Sequence, residues 1–122
     1  MSSIFTGGKL KIQYNELTHT AINATTDASD AALLTVFTTN ARLCFMFNGT
    51  NIDLTLWAVH PQADASVTAN RLKMMEFPAN YNLNFDPSAV NLEFDPGMRL
   101  YVSRTAAGGT AGANTKFRIV YW

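Results

Sequence analysis

The chain has 122 residues, room for one domain, and 48% of them are hydrophobic, enough to fill a core and too many for a disordered segment. Nine Lys and Arg balance nine Asp and Glu, which excludes a duplex nucleic-acid binder that needs a basic excess and disfavours an anionic membrane surface. Charged residues are only 15%, and 14 Thr, 6 Ser and 11 Asn take their place, so little repulsion keeps copies apart and the composition suits a protein that sits in an assembly.

The first residues, Met1 to Gly8, have neither the basic start nor the apolar run of a secretory signal, and no stretch approaches the length of a membrane span. Residues 1–30 are the most polar part and read as an N-terminal arm or first strand region, leaving residues 31–122 as the domain proper. Lys9 to Tyr14 alternates with Leu10, Ile12 and Tyr14 on one face, the period of a half-buried strand. Thr26 to Leu34 has room for one helical turn capped by Asp27 or Ser29. Leu33–Phe37, Leu43–Phe47 and Ile52–Val59 are continuous apolar runs suited to strands covered on both faces. Asn48-Gly49 between the last two predicts a tight hairpin. Residues 60–70 form a polar loop. Tyr81–Phe85 and Val90–Phe94 alternate again, and Asp86-Pro87-Ser88 marks a tight connection. Asp95-Pro96-Gly97-Met98 predicts a type II turn, with Pro preset for the first corner and Gly for the second, leading into a strand over Met98–Ser103. A small-residue loop over 104–114 precedes a last strand, Lys116–Tyr121. Eight or nine short strands with turns every 8 to 12 residues predict an all-β fold, a single antiparallel β-sandwich of jelly-roll type.

Reactive chemistry has little to work with. His19 and His60 are the only histidines and fit no metal-ligand spacing, and no G-x-S-x-G elbow or phosphate-binding glycine loop occurs. Asp53, Asp64, Asp86 and Asp95 follow no calcium-loop pattern. Cys44 is the single cysteine, so no intrachain disulfide forms, and it reads as a small buried thiol of a chain folded in a reducing cytoplasm. The expectation is a protein that is not an enzyme, with no cofactor and no metal. The Asn23 and Asn48 sequons are no more than this composition gives by chance. Trp57 shares a face with Asp53, Thr55 and Val59 on a period of two; core packing and an exposed platform for sugar or protein are both open to it. Outward positions such as Thr55, Asn82, Asn84 and Asn91 carry neutral polar groups where a free monomer more often places charge.

Several of these segments form a recognisable series. Phe47-Asn48-Gly49-Thr50 is followed by Leu54-Thr55-Leu56-Trp57-Ala58-Val59, a polar loop, the step Asn70-Arg71-Leu72 and then a strand. Phe94-Asp95-Pro96-Gly97-Met98-Arg99-Leu100-Tyr101-Val102, a Gly/Ala-rich loop and an alternating strand close it. In this series, Ala31 to Trp122 resembles small β-sandwich virion proteins of tailed bacteriophages, with Met98 standing where an acidic residue follows the Pro-Gly of those chains. The resemblance implies a structural virion component assembled in the host cytoplasm, foremost a capsid decoration or cement protein that binds the major capsid protein or other virion proteins. Self-association is expected with it, a trimer first. The alternatives are a tail-fibre or spike adhesion module that binds host surface glycan through Trp57, or a tail or neck adaptor. Candidate contact residues are Trp57, His60, Asp64, Arg104, Tyr121 and Trp122, with neither nucleic acid nor membrane as partner.

Overall fold

A computed structural model describes residues 13–84, 92–105 and 109–121. In chain order they form β1 (Gln13–Thr18), α1 (His19–Asn23), β2 (Ala32–Val36), β3 (Ala41–Asn48), β4 (Leu54–Val59), β5 (Leu72–Phe77), β6 (Tyr81–Asn84), β7 (Glu93–Phe94), β8 (Arg99–Arg104) and β9 (Lys116–Tyr121). A 3₁₀ turn covers Thr68–Asn70. The all-β expectation holds.

Two antiparallel sheets pack face to face. One, the β1 sheet, runs β1-β9-β3-β6 with β7 on the start of β3; the other, the β2 sheet, runs β2-β8-β4-β5. Consecutive strands change sheet at every step except β4–β5 and β6–β7. This is the double Greek-key strand order of a jelly roll. The inward residues of both sheets form one core, with Leu43, Leu54, Phe94, Leu100, Phe117 and Ile119 each at most 2% exposed. A ring cluster centres it. Phe37 stacks on Phe94 at 4.7 Å and meets the edge of Tyr121 at 5.1 Å. Each such ring withdraws enough apolar surface for about 1.5–3 kcal/mol.

The chain enters this sandwich at β1, whose residues pair with β9 from Gln13↔Tyr121 to Thr18↔Lys116. Glu16 fastens the pair by accepting from Lys116 Nζ at 3.2 Å and from Arg118 Nη2 at 3.0 Å. The first strand thus runs Gln13–Thr18; the expected Lys9–Ile12 segment lies outside the described residues, as do the Asp86-Pro87-Ser88 connection and Asn91. The helical turn expected over Thr26–Leu34 is instead the short α1 ahead of it. Asp30 there accepts the backbone N–H of Thr26 at 2.6 Å and of Asp27 at 3.0 Å, so the carboxylates close a turn rather than cap a helix.

Asn48-Gly49 corrects the hairpin expectation. β3 and β4 belong to different sheets, and the Asn-Gly step carries the chain across the sandwich. Gly49 does not adopt positive φ. What holds the crossing is the wholly buried Asn48 side chain: its amide donates to the carbonyls of Ile52 at 2.9 Å and Pro78 at 3.0 Å, and its oxygen accepts from the Thr50 N–H at 3.0 Å and hydroxyl at 2.6 Å. The Asp95–Met98 turn does form, with Met98 N donating to Asp95 O at 3.1 Å and Gly97 at φ +87°. It too joins one sheet to the other.

β5 follows the Asn70-Arg71-Leu72 step, but its own residues do not alternate. A bulge between the Leu56↔Met75 and Trp57↔Lys73 pairs inserts Met74 and breaks the period of two. A second bulge in β2, between Leu33 and Thr35, turns Leu34 and Thr35 both inward and leaves Leu33 and Val36 outward.

Candidate functional site

The outer face of the β2 sheet is covered rather than open to solvent. Register places Thr55 beside Ser103, Trp57 beside Tyr101 and Val59 beside Arg99, all pointing away from the main core. In a plain sandwich these positions meet water. Here Val59 and Ser103 are fully buried, and Thr55 and Tyr101 are 3% and 9% exposed. The expectation of an outward, solvated Thr55 is therefore overturned. Two loops cover the face, residues 24–31 and 60–71. Ala31, Ala63 and Ala65 pack on Val59, Tyr101 and Trp57 to make a second, smaller core. The buried hydroxyls beneath both find partners: Trp57 Nε1 donates to Ser103 Oγ at 2.9 Å, and the Thr55 hydroxyl lies 2.8 Å from that of Thr105 at the rim.

Three arginines hold the loops down, each through backbone carbonyls. Arg71 donates to Ala28 O at 2.8 Å and Ala65 O at 3.1 Å, tying the two loops together, and its guanidinium lies 4.5 Å from the Tyr101 ring centre. Arg99 donates to His60 O at 2.9 Å and Ala63 O at 2.6 Å. Arg104 donates to Thr25 O and to Gly109 O, drawing the 104–114 loop to the same face. A guanidinium suits this work because it offers five donors in a rigid fork. Within the 60–71 loop Asp64 accepts from the Ser66 hydroxyl at 2.7 Å and N–H at 2.9 Å. Those bonds, the hydroxyl first, hold its carboxyl below the ordinary carboxylate value, with Arg99 adding a smaller pull. Asp30 is lowered in the same way, chiefly by the Thr26 N–H.

Four of the expected contact residues therefore surround one sheet face. Trp57 is half-buried under the loops with its N–H engaged; His60 is exposed where β4 ends and accepts the Gln62 N–H at 3.2 Å; Asp64 is exposed in its turn; Arg104 ends β8. They do not converge. Val59 pairs with Arg99 and Leu54 with Arg104, so His60 and Arg104 mark opposite strand ends, roughly 20 Å apart at about 3.4 Å per residue. Tyr121 lies elsewhere, buried in the core of the β1 sheet, where its hydroxyl donates to Asn15 Oδ1 at 2.5 Å. Trp122 is outside the described residues.

Arg71 and Arg99 escaped the sequence-based choice. Their one signal there was position, in or next to polar loops of a chain with few charges. A shallow open depression of about 270 Å³, lined by Asn51, Ile52, Asp53 and Gly109, opens at the Arg104 end. Asn51 Oδ1 already accepts Gly112 N at 2.7 Å and Asp53 Oδ1 accepts Ala79 N at 2.9 Å, so its polar groups serve the loops. Among the described residues no three His, Cys, Asp or Glu side chains gather as a metal site. Compared with known proteins, the chain matches no protein-family model, no curated protein and no solved structure.

Proposed function

We propose that this chain is a non-enzymatic bacteriophage virion protein of the capsid decoration or cement type, binding and stabilising the assembled shell. The observation that carries the reading is the pinned loop surface over the β2 sheet. Arg71, Arg99 and Arg104 turn their charge inward onto carbonyls, which leaves loops 24–31 and 60–71 preorganised, with the carboxylates of Asp27, Asp30 and Asp64 as the exposed charges on them. Such a surface associates with little loop-ordering entropy. Many small contacts repeated over a symmetric shell then add as avidity. The resemblance of Ala31–Trp122 to virion β-sandwich proteins supplies the setting, and a jelly roll is a fold that capsid and lectin domains both use.

The test is co-sedimentation of the full chain with purified capsids that lack it. Stoichiometric binding and a higher temperature of shell rupture are expected, with Arg71→Ala weakening both. Absence of binding to capsids, together with retention on a glycan array lost in Trp57→Ala, moves the protein to the adhesion class and ends the decoration reading.

A further inference from the structure

We propose that two copies of this chain associate by antiparallel pairing of β2 with β2, extending the β2 sheet across a twofold axis. The proposal rests on the reading above, that the protein works in an assembly, and names one edge through which copies join.

A sheet offers two edges, and the two edges of the β2 sheet differ in kind. At one, β5 carries Lys73 and Glu76, both exposed and joined at 3.0 Å; charge of this sort blocks strand addition. At the other, β2 reads Ala32-Leu33-Leu34-Thr35-Val36, without charge or proline, and among the described residues its ladder is with β8 alone. In the β1 sheet, the edge strand β1 carries Glu16 in its ion pairs, and β6 is half asparagine, a residue depleted in strands.

The bulge makes β2 self-complementary. Leu33 and Val36 are 48% and 46% exposed, while Leu34 and Thr35 between them are 6% and 7% exposed. The order outward, inward, inward, outward reads the same in both directions. A twofold axis between Leu34 and Thr35 therefore sets Leu33 of one copy against Val36 of the other on the outer face, where antiparallel partners share a side. Charge selects the occupant. An acidic or basic peptide finds no counter-charge on this edge, whereas a second β2 brings none to desolvate, and a chain with nine charges of each sign does not repel its copy.

Sedimentation equilibrium of the full chain over a range of concentrations tests this. The wild type is expected to dimerise. Leu33→Lys and Val36→Lys each place like charges near the join and are expected to weaken the dimer at least about tenfold, with circular dichroism and thermal midpoint retained. Leu72→Lys on β5, 63% exposed at the opposite edge, is expected to dimerise as the wild type does. If one β2 variant does not fold, the other carries the measurement. A chain that stays monomeric, a trimer, or a dimer indifferent to both β2 substitutions overturns the pairing. Capsid binding is read separately, so a monomer that still decorates shells removes this edge and leaves the proposed function standing.

Discussion

Replacing Asn48 with Ala tests whether the crossing between the two sheets depends on one buried side chain. Asn48 is 0% exposed, and four of its hydrogen bonds are no longer than 3.0 Å. Truncation removes all four. Ile52 O keeps a bond from the Thr50 hydroxyl at 3.1 Å, but the Thr50 N–H loses its acceptor inside the fold. At about 1 kcal/mol net per bond, and more for a buried group left unpaired, the loss comes to about 3–4 kcal/mol. Set against the roughly 5–15 kcal/mol of a typical domain, that is a large share. It corresponds to a fall of about 12–16 °C in thermal midpoint for a chain of this size. Urea titration with calorimetry gives the value, and Thr50→Val supplies the second arm of a double-mutant cycle. Because the two side chains share bonds, their costs are expected to sum to more than the double mutant's. An Asn48→Ala loss below about 1 kcal/mol, or strict additivity with Thr50→Val, refutes the idea that this side chain holds the crossing.

Arg71→Ala is expected to cost about 2–3 kcal/mol through its charge-assisted bonds and to open residues 24–31 and 60–71 to protease; Arg71→Lys, lacking the fork, should not restore protection, and full rescue by Lys contradicts the staple. Gly97→Ala forces a side chain onto φ +87° with its Cβ 3.2 Å from Pro61, and a loss of about 1–2 kcal/mol is expected in the same titration; an unchanged midpoint argues against the type II turn. Glu16 is held below its ordinary carboxyl value by hydrogen bonds, from Arg118 first and Lys116 second. Since the folded value is the lower one, its contribution is complete above the unfolded carboxyl range and is lost as pH falls through the folded value. Glu16→Gln should therefore lower stability at neutral pH and match the wild type in strong acid, so an equal deficit at both ends of the range counts against the ion-pair account.

The parts of the fold legible in the sequence are those whose cause is local. Asp95-Pro96-Gly97 declares its turn because Pro presets one corner and only Gly accepts φ +87° without strain at the other. Lys116–Tyr121 declares a strand because its inward residues Phe117, Ile119 and Tyr121 alternate with outward ones. Asn48-Gly49 misleads because the same dipeptide serves a hairpin locally and a buried polar crossing in this core, and the deciding partner, Pro78 O, lies 30 residues away. β5 is expected from the Asn70-Arg71-Leu72 step before it and not from its own residues, because Met74, inserted by a bulge, cancels the period of two. The site was half visible. The sequence puts Trp57 on a strand face and His60, Asp64 and Arg104 in loops or at strand ends. Their common face depends on Arg71 and Ala28, 43 residues apart, and on Arg104 and Thr25, 79 apart, meeting in space, which no local pattern encodes.

The β1–β9 ladder also bears on how the chain acquires its structure. Glu16 and Lys116, bonded across that ladder, are separated by 100 residues. At about 5–20 residues per second, a ribosome spends roughly 5–20 s between making the two strands. During that interval β1 has no ladder partner and the β1 sheet lacks the strand that joins it to β3. Closing so distant a pair costs chain entropy before any contact repays it, so folding on the millisecond-to-second scale of non-local β topologies is expected. Completion is then a late and concerted event, in which β9 inserts between β1 and β3 and settles both neighbours at once.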